Sequence, residues 1–143
     1  MPDVSRSVLV AYTPAQMFAL VDAVEEYPKF LPWCSAATVS HRDDRTTRAT
    51  LSIRYRGLKQ AFTTLNDKDA PKEMRLRLVE GPFRQLDGLW RFSELASRGC
   101  KVELQLRYEF SSRILEKLVG PVFDHIANTM VDAFAKRAEQ VYG

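Results

Sequence analysis

Residues 101–110 read KVELQLRYEF, and apolar and polar side chains alternate along this stretch without a break. A β-strand directs successive side chains to opposite faces, so the pattern predicts a strand with one buried and one solvated face. The same alternation occurs at residues 48–56 and 74–78. Weaker runs at 4–11, 37–43, 59–67 and 86–96 bring the number of predicted strands to about seven. Short connections, such as a turn expected at 97–99, predict an antiparallel sheet.

Two segments depart from this alternation and predict helices. The first runs from Thr13 to Val21, where Thr13 can cap the first turn and Pro14 suits the first helical position. The second is an apolar stripe near the end of the chain, with residues four positions apart: Ile114, Leu118, Val122, Ile126, Met130, Phe134 and Ala138. Because Gly120-Pro121 interrupts the stripe, we expect a short helical turn, a kink, and then a helix of about 20 residues starting near Pro121.

The predicted order of elements is that of an α+β domain. A long C-terminal helix laid across a curved antiparallel sheet is the helix-grip arrangement. The chain has 143 residues, of which 45% are hydrophobic and 27% charged, which excludes a disordered or fibrous protein. We therefore expect residues 1–143 to form one domain around one core.

The two cysteines and the absence of a targeting pattern suggest a bacterial cytoplasmic protein. Cys34 and Cys100 form no CxxC pair and are too few for a disulfide framework or a four-ligand zinc site, so buried reduced thiols are expected. No apolar run reaches the length of a membrane span, and the first residues do not have the layout of a signal peptide.

The sequence offers few side chains for catalysis. Its only histidines are His41 and His125, and it has no HExxH, GxSxG, GxxxxGK or GxGxxG pattern. The expectation is a protein that is not an enzyme, without catalytic residues, a metal or a catalytic cofactor.

Two segments, residues 22–34 and 80–92, concentrate aromatic and proline residues. In the first, two prolines constrain the backbone, and large apolar side chains need burial. In the second, Gly88, Trp90 and Phe92 share one strand face, and the small glycine leaves space beside two rings. Two interpretations stay open: the aromatic residues close the core beneath a long loop, or they line a ligand site.

Three motifs in these regions resemble the coenzyme Q-binding protein family of START-like domains, whose bacterial members include ribosome-association toxins. They are the proline-tryptophan loop, the segment from Gly81-Pro82-Phe83 to Gly88-x-Trp90, and the MVDAFAKRA stretch at 130–138. The resemblance covers nearly the whole chain. It implies a helix-grip fold, a hydrophobic cavity between sheet and helix, and binding of ubiquinone or a similar isoprenoid lipid. Such a protein would support cellular respiration as a quinone carrier or chaperone, with transient contact at the inner-membrane surface.

An apolar ligand needs few directed contacts, because each buried methylene contributes about 0.8 kcal/mol. An empty cavity of ~300 Å³, the low end for ligand sites, would cost on the order of 7 kcal/mol, so an occupied cavity is expected. Alternation and the helix stripe predict its wall: Tyr55, Phe83, Trp90, Leu104, Tyr108, Val122, Ile126 and Met130. The predicted entrance consists of Phe30, Leu31 and Trp33.

The alternative function is that of a ribosome-association toxin that binds the large ribosomal subunit and blocks translation initiation. The net charge is only +3, but residues 42–77 carry ten positive and five negative side chains. Arginine is well suited to phosphate contacts. The predicted ribosome-binding residues are Arg48, Arg54, Arg56, Lys59, Arg75 and Arg77. The other interpretation of these residues is a solvated sheet face, and no DNA partner is expected.

A third hypothesis is an enzyme, because related helix-grip domains include aromatic polyketide cyclases with a polar pocket for proton transfer. The predicted inward positions are too apolar for that chemistry. A buried acid-base pair near Tyr55 or Tyr108 would favour it.

Overall fold

The computed structural model describes residues 3–96 and 99–143, so residues 97 and 98 of the predicted turn lie outside the described part. It contains two α-helices, α1 (Pro14–Asp22) and α2 (Arg113–Tyr142), and a 3-10 helical segment at Val24–Lys29. The seven strands are β1 (Asp3–Val10), β2 (Cys34–Arg42), β3 (Thr46–Tyr55), β4 (Leu58–Asp69), β5 (Glu73–Glu80), β6 (Phe83–Glu94) and β7 (Cys100–Phe110). Each predicted strand is present, with ends shifted by a few residues.

The strands form one antiparallel sheet in the order β1-β7-β6-β5-β4-β3-β2. Strands β2 to β7 are neighbours in sequence order, whereas β1 returns to pair with β7. The segment that contains α1 and the 3-10 helix therefore connects the two edges of the sheet. Helix α2 packs against β1, β7 and α1, which confirms the helix-grip arrangement and the α+β class.

Local sequence signals account for these elements. Along β7 every second side chain, from Val102 to Phe110, is buried, as the alternation predicts. At the start of α1, the Thr13 hydroxyl accepts a hydrogen bond from the Gln16 N–H (3.1 Å), and the Gln16 side chain accepts one from the Thr13 N–H (2.9 Å). This reciprocal capping box satisfies two backbone donors that the helix leaves free.

Helix α2 continues through Gly120-Pro121 for 30 residues, so the predicted break there is wrong. Pro121 removes one backbone hydrogen bond, which would have run to the carbonyl of Lys117. Lys117 and Pro121 are both exposed, so water can donate a hydrogen bond to the free carbonyl of Lys117. Val119 and Phe123 are buried on either side of the proline and anchor both parts of the helix to the core.

The predicted apolar stripe is wrong at the start of α2, where Ile114 and Leu118 are 71% and 62% exposed. A spacing of four residues exceeds one helical turn of 3.6, so each step rotates the side chain by about 40° around the helix axis. Residues repeated at this spacing from Ile114 to Ala138 cannot all face one side. The buried face instead runs through Val119, Phe123, Ala127, Val131 and Phe134.

Cys34 and Cys100 are both buried free thiols, as expected. Burial raises the pKa of the Cys34 thiol to about 11 and also raises the pKa of Cys100. Because the thiolate is the reactive form, we expect neither residue to react with 5,5′-dithiobis(2-nitrobenzoate) at pH 8 in the folded protein and both to react after guanidinium unfolding. Stoichiometric labelling of the native protein within minutes would contradict this arrangement.

Within residues 3–96 and 99–143, neither helix combines the length and apolar character that crossing a membrane requires.

Candidate binding sites

The space enclosed between the sheet and α2 is a small apolar cavity of about 60 Å³. From the predicted wall, Trp90, Ile126 and Met130 line it, and Trp33 of the predicted entrance does so too. The expected cavity of ~300 Å³ is therefore wrong for this structure. The protein's own side chains occupy most of the interior, so a ligand the size of a quinone needs the core to expand.

A cluster of aromatic rings fills part of the core between the sheet and α2. The ring of Phe123 lies 4.7 Å from that of Tyr108 and 4.9 Å from that of Phe83, measured between centroids. Phe62 and Phe110 complete the cluster. Phe83 and Tyr108 thus contact other rings and do not line the cavity. Leu104, which is buried, and Val122, which is half-buried, do not line the cavity either. A ligand contact by these four residues stays a prediction that requires the cluster to open.

The expected space beside Gly88 is filled by leucine side chains. Gly88 lies between Leu76 of β5 and Leu106 of β7, its direct cross-strand partners. A Cβ atom built on Gly88 would lie 2.8 Å from Leu106 Cδ2 and 3.0 Å from Leu76 Cδ1. The glycine therefore permits close packing of its neighbours and leaves no room for a ligand.

We expect Gly88→Ala to lower the free energy of unfolding by about 1 to 3 kcal/mol, because the added methyl overpacks this region. The matched control is Gly120→Ala in α2, where the added Cβ would make an ordinary contact at 3.7 Å from Phe110. A helical glycine-to-alanine change is favourable by about 0.5 to 1 kcal/mol. Urea unfolding measures both variants, and an unchanged stability of Gly88→Ala would show that open space exists there.

A second concave space, about 490 Å³ in volume, is an open groove between the proline-rich loop and α2. The three predicted entrance residues, Phe30, Leu31 and Trp33, lie together in its wall. Trp33 is 3% exposed and also lines the interior cavity, so its side chain lies between the two spaces. Tyr55, predicted for the interior wall, instead lines this groove and stacks on the His125 ring at 5.6 Å.

Charged side chains surround the apolar wall of the groove. Lys29, Lys136 and Arg137 contribute three positive charges, and Asp132 contributes one negative charge. The Arg137 guanidinium lies 5.2 Å from the centroid of the Phe30 ring. The sequence pattern did not point to Lys136 and Arg137, because they lie off the apolar stripe of α2, or to Lys29, because it is one polar residue in an aromatic loop. The only available signal was that Lys136 and Arg137 fall within the MVDAFAKRA motif.

One buried tyrosine is paired with a carboxylate, as the enzyme hypothesis requires, but the pair lies outside the space between the sheet and α2. The Tyr108 hydroxyl donates to the carboxylate of Asp124, and burial together with this hydrogen bond raises the pKa of Tyr108 well above its usual value. Asp124 is exposed and lies in an open cleft beside β1, apart from the cavity and the groove. Within the described residues there is no cluster of metal-ligating side chains.

The six predicted ribosome-binding residues lie on or beside the outer face of strands β3 to β5. The pairing of β3 with β4 places Arg54 opposite Lys59. Arg56 and Gly57 form the turn between these strands, with positive φ angles of 51° and 81° that suit a two-residue hairpin. The Arg56 guanidinium lies 5.3 Å from the centroid of the Tyr55 ring. The hairpin tip thus presents Arg54, Arg56 and Lys59 within six residues and no carboxylate.

Ion pairing divides the cations of the outer face into two groups. Five cations on strands β5 to β7 are paired: Arg77 with Asp67 at 2.8 Å, Arg84 with Glu109 at 3.0 Å, Arg91 with Glu73 at 3.8 Å, Lys101 with Glu103 at 3.4 Å and Arg107 with Asp3 at 3.0 Å. Among the described residues, no carboxylate forms an ion pair with the other five predicted residues, Arg48, Arg54, Arg56, Lys59 and Arg75. These five form the basic face, which retains its charge for a partner.

Comparison with known proteins identifies relatives along the full length of the chain. The family described as "Polyketide cyclase / dehydrase and lipid transport" matches residues 10–135. The ribosome association toxin RatA of Vibrio cholerae is 42% identical over 143 residues, covering 100% of this chain and 99% of the relative. The mitochondrial coenzyme Q-binding protein COQ10 homolog B of Xenopus laevis is 29% identical, and the match covers 97% of this chain and 59% of the relative.

The structural comparison supports the same fold. The Zhui aromatase/cyclase from Streptomyces sp. R1128 superimposes with a TM-score of 0.82, covering 99% of this chain and 96% of the other. Its sequence identity is 17%, so this likeness shows the fold alone.

Proposed function

The chain belongs to the polyketide cyclase / dehydrase and lipid transport family, and from this premise we propose that it associates with the ribosome as a non-catalytic binding protein. The observation that carries the proposal is the basic face, with five cations that have no ion-pair partner among the described residues. The full-length similarity to a protein named ribosome association toxin supports the same function.

The hairpin tip suits contact with ribosomal RNA. Phosphate contacts supply most of the sequence-independent affinity for nucleic acid, and arginine can bind phosphate with two parallel hydrogen bonds. Arg56 lies in the two-residue turn, and Arg54 and Lys59 lie on the strands beside it. Residues 54–59 contain no carboxylate. The exposed side chains of Arg54, Arg56 and Lys59 are accessible to an RNA backbone.

The proposed role is binding and not catalysis. The relatives are named as a toxin and as a binding protein. The paired Tyr108 and Asp124 lie at an open cleft beside β1, apart from both the cavity and the groove. A tyrosine with a raised pKa is also a poor proton donor at neutral pH.

The experiment is sedimentation of the purified protein with separated large and small ribosomal subunits at low salt. We expect it to move with the large subunit, and we expect its addition to a cell-free translation mixture to lower initiation on a reporter messenger RNA. Protein that stays at the top of the gradient with both subunits would contradict the proposal.

A second candidate function is binding of ubiquinone or a similar isoprenoid lipid, and the position of Trp33 between groove and cavity favours it. The cavity wall also includes the side-chain amide of Asn66, which can donate a hydrogen bond to a carbonyl group. Asn66 is 4% exposed, and its Oδ1 accepts a hydrogen bond from the Thr64 hydroxyl at 2.8 Å. Its amide nitrogen makes no hydrogen bond within the described residues, which leaves it available to a quinone oxygen.

Mass spectrometry of lipids extracted from the purified protein tests this second candidate. We expect a quinone or related isoprenoid in the native protein and a reduced amount in Trp33→Ala. An extract without such a lipid, together with no uptake of added ubiquinone, would contradict it and leave the ribosome proposal untouched.

A further inference from the structure

We propose that the groove between the proline-rich loop and α2 binds the anionic group of an amphiphile, a phosphate or carboxylate attached to an apolar chain. This inference deepens the apolar-ligand candidate, because it gives the ligand a charged end that ubiquinone lacks.

The size and wall of the groove fit the apolar part of such a ligand. Its volume of about 490 Å³ lies within the usual range of small-molecule sites, which is roughly 300 to 1,000 Å³. Phe30, Leu31 and Trp33 form one side, and Ala133 of α2 lies on the other. Leu31 and Trp33 are almost fully buried, so the wall is held in place by the core beneath it.

The charges around the groove select the other end of the ligand. Lys136 and Arg137 are adjacent on α2, and Lys29 lies on the proline-rich loop, where it also pairs with Glu26 at 3.0 Å. Neither Lys136 nor Arg137 forms an ion pair with a described carboxylate. Glu26 pairs with Lys29 and Asp132 offsets a second positive charge, which leaves a net charge of about +1 beside the groove. Contact of Arg137 with the Phe30 ring holds the guanidinium at the boundary between the apolar wall and solvent.

A ligand with a neutral head group would form no ion pair with these cations. An RNA backbone would pair with the cations but would make no apolar contact with the groove wall. An amphiphile with one anionic end uses both. Charge-assisted hydrogen bonds to phosphate or carboxylate are about twice as strong as neutral ones, so the charged end should dominate selectivity.

Calorimetric titration with three probes tests the proposal. The two probes with an apolar chain are used below their micelle-forming concentrations. The probes are decyl phosphate, decyl maltoside with the same chain and a neutral head, and inorganic phosphate without a chain. We expect decyl phosphate to bind at least tenfold more tightly than either of the others. The double variant Lys136→Gln/Arg137→Gln should lose about tenfold in affinity for decyl phosphate and retain its affinity for decyl maltoside. The matched control, Arg113→Gln/Lys117→Gln, removes the same charge from α2 outside the groove and should bind like the unmodified protein.

Each failure has a distinct meaning. Equal affinity for decyl phosphate and decyl maltoside overturns the anionic preference and leaves apolar-ligand binding intact, whereas no binding of either overturns both. Inorganic phosphate as tight as decyl phosphate would show a simple anion site. If the Lys136/Arg137 variant instead loses ribosome sedimentation with no change in amphiphile binding, the groove belongs to the RNA contact and the proposal is wrong.

Discussion

Asp22→Ala is expected to lower the free energy of unfolding by about 3 to 5 kcal/mol, because it leaves the Lys68 ammonium buried without its partner. Lys68 Nζ lies 3.1 Å from Asp22 Oδ2, and the lysine side chain is only 5% exposed. The other carboxylate oxygen of Asp22 accepts a hydrogen bond from the Thr47 hydroxyl at 2.8 Å. Arg42 Nε also lies 3.8 Å from Asp22 Oδ2. Asp22 therefore links the end of α1 to β2, β3 and β4.

Urea unfolding followed by circular dichroism measures this loss. The control is Glu25→Ala, which removes an exposed ion pair with Arg42 (2.8 Å) and should cost less than about 1 kcal/mol. The double variant Asp22→Ala/Lys68→Met should recover much of the lost stability, because it removes the unpaired charge. A loss below about 1 kcal/mol for Asp22→Ala would show that Lys68 finds water or another partner.

The triple variant Arg54→Gln/Arg56→Gln/Lys59→Gln is expected to weaken association with the large ribosomal subunit by about 100-fold at low salt. Each charge-assisted phosphate contact contributes at least ~1 kcal/mol, and ~3 kcal/mol in total corresponds to more than two orders of magnitude in affinity. Sedimentation at increasing subunit concentrations measures the change. The fold should be retained, because all three side chains are exposed on the hairpin.

The matched control neutralises three paired cations, Arg84, Arg91 and Arg107, and so removes the same net charge from the protein. It should bind the large subunit within about threefold of the unmodified protein, because surface ion pairs contribute little and are already neutralised locally. Equal losses in the two triple variants would show that net charge, and not the basic face, determines ribosome association.

Most of the fold follows from local patterns in the sequence. Alternation identified the strands, and short connections fixed the antiparallel order of β2 to β7. The capping residue Thr13 located the start of α1. The continuity of α2 through Pro121 could not be predicted, because it depends on burial of Val119 and Phe123 on either side of the proline. The four-residue spacing also assigned Ile114 and Leu118 to the wrong face.

The candidate sites were predictable in part. Phe30, Leu31 and Trp33 lie together in the groove wall, because prolines constrain the loop around large apolar side chains. Their contact with a ligand stays a prediction. The size of the cavity was not predictable, since it depends on how the rings of Phe83, Tyr108 and Phe123 pack in three dimensions. The register places Asp67 opposite Arg75, yet its carboxylate pairs with the diagonal Arg77, whereas Arg54 lies opposite a second cation. The sequence does not show which of the two arginines the carboxylate neutralises.

The most direct test of ribosome association is the dissociation constant of the unmodified protein for purified large subunits, measured from 50 to 300 mM KCl. Three or more phosphate contacts predict tight binding at low salt and a log–log slope of affinity against salt of about −2 or steeper. Absent binding at 50 mM KCl, or an affinity that stays constant across the salt range, would contradict a ribosome-binding role for the basic face.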